Sequence, residues 1–187
     1  MVGSGLSGNA VCASAVEPET RGRAAPYPAR PCGRVFDRGQ VVIALRAARS
    51  TDAGKVGAIL SEFVATTEWM PQLHTGAEDI AHAGAMVARD WVTVAEVNGD
   101  VVGFAACNGV DLDALYVSRS QRGQGVGTAL LQHLKQEHAM LKLWTFQANR
   151  PAQDFYVKHG FIEQERTDGA STDEGLPDIR YQWRKDD

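Results

Sequence analysis

The stretch 111–146 constrains the fold of this chain more than any other part. Residues 111–117 are β-rich. Residues 118–125 are polar and carry two glycines, and Val126, Ala129, Leu130 and Leu134 then recur at the spacing of one helical face. Residues 141–146 are β-rich again. Strand, helix and strand at this spacing form a crossover, so the two strands are expected to be parallel and the connection right-handed.

Upstream, 41–45 predicts a strand. Ser50, Thr51 and Asp52 form a helix-capping cluster. Val56, Ile59, Leu60, Phe63 and Val64 share the next helical face, and that helix should stop before Pro71. Thr75 with Glu78 resembles a capping box opening a second helix over 77–89. Residues 91–97 and 100–107 read as strands, and Asn98-Gly99 between them favours a type I′ hairpin turn. Downstream, Pro151 suits the start of a helix and Gly160 its stop. Residues 161–165 and 179–183 are expected as closing strands, with 167–177 as loop. The expected class is mixed α/β, an antiparallel first half joined to a parallel crossover.

The 187 residues suffice for one domain with a core, and 44% apolar with 22% charged residues is ordinary for a globular protein. A net charge of −4 argues against a general nucleic-acid binder. Residues 1–40 hold five arginines against three acids, a net of +2, which leaves −6 on the remainder. An acidic body fits a cationic amine substrate, though solubility alone is the commoner reason for such a charge. Four of the seven prolines lie in 1–40 with no apolar periodicity. That segment is expected to be a disordered tail preceding a domain at 41–187. Glu17 and Glu19 disfavour a transit peptide; a wrongly chosen upstream start codon is the other reading. Cys12, Cys32 and Cys107 are odd in number and scattered, which fits neither a disulfide framework nor a zinc site. Cys107 is expected in the core, a reducing cytoplasm is the default, and no metal is expected. No run approaches the roughly 18 apolar residues of a membrane span, and no signal peptide is legible.

The chemistry centres on Gln121-Arg122-Gly123-Gln124-Gly125-Val126-Gly127-Thr128, which leaves a strand and opens a helix. Backbone N–H groups at a helix N-terminus have no intrahelical partners, and the dipole there favours negative charge. Glycines let a phosphate approach closely, Arg122 adds a cation and Thr128 a hydroxyl. A pyrophosphate is the natural ligand, while a ligand-free strand-to-helix turn would look similar. A P-loop requires a Lys after its last glycine, and none follows here. A dinucleotide fingerprint requires a third glycine where Leu130 stands.

Leu115-Tyr116-Val117 followed by Arg122-Gly123-Gln124-Gly125-Val126-Gly127 resembles the signature of the GNAT superfamily of N-acetyltransferases, R/Q-x-x-G-x-G/A. A second signature, N-x-x-A-x-x-F-Y-x-x-x-G-F, is matched from Asn149 through Ala152, Phe155, Tyr156, Gly160 and Phe161. The resemblance covers about 41–185. Residues 69–75 and 176–183 also resemble a branch carrying W-M-P-x-L-H-T and L-P-D-x-x-Y-x-W. The resemblance implies the GNAT fold, with a mixed sheet of six to seven strands and about four helices.

It also implies acetyl-coenzyme A as co-substrate and a small-molecule or peptide amine as acceptor, with no nucleic acid or membrane partner; a homodimer is left open. The backbone of Leu115 and Val117 would pair with the pantetheine arm like an added strand, the Val117 N–H polarising the thioester carbonyl, and Tyr116 between them is counted with the cofactor-binding residues. Arg122, Gly123, Gln124, Gly125, Val126, Gly127 and Thr128 would hold the pyrophosphate. Asn149 would hydrogen-bond the pantetheine or simply cap a helix. Tyr156 would protonate the departing thiolate or simply pack in the core. Glu68 leads as the base, with His74 behind it. Trp69, His74, Trp144 and Gln147 would line the acceptor side. His133 and His138 are given no role. A non-catalytic acyl-CoA sensor, a protein lysine or N-terminal acetylase and, last, a dinucleotide oxidoreductase are the alternatives.

Overall fold

The computed structural model describes residues 42–185. The expected tail at 1–40, with Cys12 and Cys32, lies outside the described residues. Among these the chain forms seven strands and four α-helices: β1 (Ile43–Ala47), α1 (Ala53–Thr66), α2 (Gly76–Val87), β2 (Val92–Val97), β3 (Asp100–Asn108), β4 (Asp111–Val117), α3 (Val126–Glu137), β5 (Met140–Phe146), α4 (Arg150–Lys158), β6 (Ile162–Arg166) and β7 (Asp178–Arg184). They build a single sheet in the order β1-β2-β3-β4-β5-β7-β6. Only the β4–β5 pair is parallel, as the crossover requires. No helix among the described residues is long and apolar enough to cross a membrane.

Local chemistry accounts for most of the element boundaries. Thr75 Oγ1 accepts from the Glu78 amide at 3.3 Å while the Glu78 carboxylate accepts from the Thr75 amide at 2.8 Å, the expected capping box. Asn98 and Gly99 have φ of 53° and 85°, the pair of positive values a type I′ turn demands. The first strand begins at Ile43, two residues later than the β-rich run suggested. Its ladder starts where Ile43 meets Val97. α2 stops at Val87 rather than 89, because Asp90 turns the chain into a left-handed conformation (φ 59°) ahead of β2.

Two cores sandwich the sheet. Val56, Ile59 and Phe63 of α1 pack with Met86, Phe104 and Tyr116 on one face; Leu115, Val117, Leu130, Leu134, Leu141, Leu143, Phe155 and Tyr156 pack on the α3/α4 face. The α1–α2 crossing is close enough that a Cβ on Gly57 would lie 2.7 Å from Ile80 Cα, so only glycine fits there. Cys107 sits half-buried against the α3/α4 core, outside any disulfide. Burial first, then the Asp113, Asp111 and Glu137 charges, pushes its thiol up to about 12. Such a thiol is protonated and unreactive at neutral pH.

The sheet breaks its regularity between β4 and β5. Asp111 opposite Lys142 is their single paired position, with the Lys142 amide donating to Val110 O at 2.8 Å. Beyond it the strands part. On the other side of β4 the ladder passes from Ala106–Ala114 to Cys107–Leu112, so Asp113 is the extra residue of a β-bulge. A bulge bends and over-twists its strand, and this one lies next to the last β4–β5 contact.

Burial, and secondarily the charge of Asp111, pushes the half-buried Asp113 carboxyl up to about 6 from an ordinary 3.8. The unfolded chain ionises this group near pH 4, so ionising it in the native state opposes folding. Its stability contribution is therefore full below about pH 4 and is lost as pH rises through about 6. Asp113→Asn is expected to be more stable than the parent at pH 8, on the order of 1–2 kcal/mol after screening, and equal to it at pH 4. Denaturant melts at the two pH values check this; equal stability at pH 8 would mean that the native carboxylate carries no penalty.

Candidate cofactor cleft and acceptor face

The open edge of β4 carries defined donors. In an antiparallel ladder successive amides point to opposite neighbours. The Ser118 amide donates to Val102 O at 2.8 Å, toward β3, and so the Tyr116 amide also faces β3. The Leu115 and Val117 amides then face the gap that β5 has vacated. Tyr116 is thereby set apart from the two residues beside it. Its backbone belongs to the β3 ladder, and its ring lies on the α1 face, 5.3 Å from Phe63 and 5.7 Å from Phe104. The alternation of the pleat therefore leaves the backbone donors of this edge to Leu115 and Val117.

After β4, Arg119–Gln121 makes one 3₁₀ turn and the glycines follow. Gly123 and Gly125 have φ of 75° and 85°, and a Cβ on either would meet nothing within 4 Å. Gly125 is the N-cap of α3 and has no side chain to cap it. The first intrahelical bond runs from the Ala129 amide to Gly125 O at 2.9 Å. Val126, Gly127 and Thr128 amides therefore have no helix carbonyl to bond. Gln124 Nε2 closes the turn onto Ser120 O at 3.0 Å. Arg122 folds back, its Nε donating to Val117 O at 3.1 Å, so the guanidinium sits between the β4 edge and the turn. The Thr128 hydroxyl lies 3.3 Å from His159 Nε2, while His159 Nδ1 lies 2.7 Å from Phe155 O. A carbonyl partner requires the proton on Nδ1, so in the neutral ring Thr128 donates to Nε2. Its hydroxyl is thus engaged by the end of α4.

Helix α4 brings up the second motif. Asn149 is its N-cap: Oδ1 accepts from the Ala152 amide at 3.2 Å. The other end of the same side chain, Nδ2, is buried without a partner, in a residue 3% exposed. Capping and ligand binding are therefore compatible, since each would use a different atom. Tyr156 is fully buried, its ring 5.3 Å from Phe155, 5.4 Å from Phe161 and 6.4 Å from Tyr181.

The opposite face of the gap is aromatic. Tyr116 on β4 and Phe146 on β5 lie on either side of it. They are linked over the top by Phe63 and Trp69, with centroids 5.3 Å (Tyr116–Phe63), 6.1 Å (Phe63–Trp69) and 5.6 Å (Trp69–Phe146) apart. Trp69 thus bridges the two strands on the α1 face of the gap. Trp144 shares the Phe146 face of β5, half-buried under the Arg180 guanidinium at 5.8 Å. Gln147 does not line this face with its amide: Nε2 donates to Thr167 O at 2.9 Å and Asp178 O at 3.1 Å, stapling the ends of the β6–β7 loop. His74 is exposed on the α1–α2 loop, close enough to Glu174 of the β6–β7 loop to act on its charge. Burial comes first among the causes that raise the Glu174 carboxyl above the usual range. Glu68 is exposed and makes no hydrogen bond or ion pair among the described residues.

Two residues here had no sequence signal. Glu62 of α1 accepts from the Arg119 amide at 2.9 Å, which sets a carboxylate two residues beyond Val117. Its helical position alone says nothing of a partner 57 residues away. Thr145, fully buried on β5, has a hydroxyl with no partner. A β-branched residue in a strand attracts no notice until its surroundings are known.

Relatives share this architecture. A family model described as an acetyltransferase (GNAT) domain matches residues 88–163. YjaB of Escherichia coli, named a peptidyl-lysine N-acetyltransferase, is 32% identical over 123 residues, 65% of this chain and 83% of that protein. YiaC of the same organism, also named a peptidyl-lysine N-acetyltransferase, is 37% identical over 75 residues, 40% of this chain; the match spans 50% of its length. The solution structure of apo YjaB superposes with a TM-score of 0.65 at 24% identity, covering 76% of this chain and 97% of that one. The structure of yncA from Salmonella typhimurium with its cofactor acetyl-CoA gives 0.62 at 19% identity, covering 78% and 95%. A parted β4–β5 pair followed by a bare helix N-terminus is thus found in a chain that keeps 32% identity across 83% of YjaB, and the chain belongs to the GNAT superfamily of N-acetyltransferases, a family of acyltransferase enzymes.

Proposed function

We propose that this chain transfers the acetyl group of acetyl-CoA to a primary amine by direct attack within a ternary complex. The observation that carries the reading is the edge of β4 that has no partner strand beyond Asp111, with the Leu115 and Val117 amides facing a gap beside the start of α3, which has no side-chain cap. An extended pantetheine arm would add to that edge like a strand, and the diphosphate would accept from the amides of residues 122–128. The residues present fit such an arm, because buried Asn149 Nδ2 has a donor to spare.

The Val117 N–H would donate to the thioester carbonyl, gaining strength as the oxygen becomes an oxyanion; one such donor is worth roughly 3 kcal/mol. The amine nitrogen attacks the acetyl carbon from the side walled by Tyr116, Phe63, Trp69 and Phe146. Collapse breaks the carbon–sulfur bond, and Tyr156 supplies the proton that the thiolate takes. The attacking nitrogen loses its proton through Glu62 or Glu68, directly or by water. Glu62 is the carboxylate anchored at the end of β4.

A second reading narrows the acceptor to a peptide lysine. The names of YjaB and YiaC favour it, as does the net negative charge of the body, which suits a cationic side chain. Calorimetry with acetyl-CoA, followed by thiol release over a panel of small amines and lysine peptides, tests both. Micromolar binding with turnover on peptides alone supports the narrower reading. Tight binding with no turnover on any acceptor points to an acyl-CoA sensor. Absence of binding heat at millimolar acetyl-CoA removes the whole reading.

A further inference from the structure

Thr145 lies on the face of β5 that carries Leu141 and Leu143, beneath α4 and four residues before the α4 cap Asn149. It is 0% exposed and its hydroxyl has no hydrogen-bond partner. A buried, unpaired hydroxyl weakens a fold, and valine would fill nearly the same volume in a strand without that cost. The second orphan, four residues along the chain, is Asn149 Nδ2, a donor whose own oxygen is committed to the helix cap. Two unsatisfied polar atoms therefore close the end of β5, where β4 has withdrawn and left no backbone to pair with.

We propose that Thr145 is a further binding residue for the acyl donor, its hydroxyl pairing with a secondary amide of the pantetheine arm. Asn149 Nδ2 donates to the amide carbonyl, and Thr145 Oγ1 accepts the amide N–H. This rests on the acetyl-CoA reading above. The arm would satisfy both atoms together.

The test is Thr145→Val in the full chain, with Thr145→Ser beside it. Acetyl-CoA and the nucleotide half alone, adenosine 3′-phosphate 5′-diphosphate, are titrated into each variant, and the ligand-free proteins are melted. The valine variant is expected to bind acetyl-CoA about tenfold more weakly, the loss of one buried hydrogen bond. It should bind the nucleotide half as the parent does and melt at the same temperature or higher. The serine variant should keep parental affinity. A role confined to the fold moves these readouts the other way: the ligand-free valine protein melts lower or fails to fold, and that overturns the proposal. So does unchanged acetyl-CoA affinity, which would assign the hydroxyl to a buried water, and so does equal weakening of both ligands. If the parent binds no acetyl-CoA, the functional reading falls with it. If the parent binds and only the valine result is flat, Thr145 alone loses its role.

Discussion

Gly125→Val is expected to abolish measurable acetyl-CoA binding, by about a thousandfold, while the protein stays folded. Gly125 holds φ 85° at the N-cap of α3, a conformation that costs an L-residue roughly 1–2 kcal/mol, and a β-branched one more. A Cβ there meets nothing within 4 Å, so the fold has no steric reason to fail. The new methyl groups instead enter the space above the Val126, Gly127 and Thr128 amides, where a phosphate oxygen must come within about 3 Å of nitrogen. Losing two such charge-assisted bonds, at roughly 1.5–3 kcal/mol each, gives the thousandfold figure. Calorimetry and a thermal melt separate the two effects. The melt should fall by only a few degrees, about 2–4 °C per kcal/mol for a chain of this size. A dissociation constant within threefold of the parent would mean that these amides hold no diphosphate.

Tyr156→Phe is expected to lower kcat by about a hundredfold or more, with KM for acetyl-CoA nearly unchanged. The magnitude is that of a positioned general acid. The phenylalanine ring keeps the contacts with Phe155, Phe161 and Tyr181 that hold the side chain in place. Binding should therefore survive while proton delivery to sulfur is lost. A donor whose thiol is more acidic needs that proton less, so the variant's deficit should shrink with an activated thioester. A uniform deficit across donors would assign the loss to packing, and unchanged turnover would remove Tyr156 as the acid.

Several residues carried their meaning in the chain itself. The Thr75–Glu78 box, the Asn98-Gly99 turn and the Asn149 cap followed by Pro151 are local chemistry, decided within four residues. The same holds for the strand–turn–helix of 111–134, whose periodicity and glycines specify a helix start without a side-chain cap before any fold is known. Other roles could not be read that way. Tyr116 sits inside the motif, yet its backbone serves β3, because amide direction depends on the register of a partner strand. Gln147 looked available to a substrate, and its amide is used in closing a loop.

The sequence alone determined the parallel crossover and the position of a glycine-rich turn opening a helix, because both follow from short-range spacing and the stereochemistry of glycine. Only the tertiary structure decided how far β4 and β5 part, that Asp113 is the bulged residue, that Glu62 reaches the end of β4, and that Thr145 and Asn149 keep polar atoms unsatisfied. Those features depend on which groups meet, and fail to meet, across long stretches of chain.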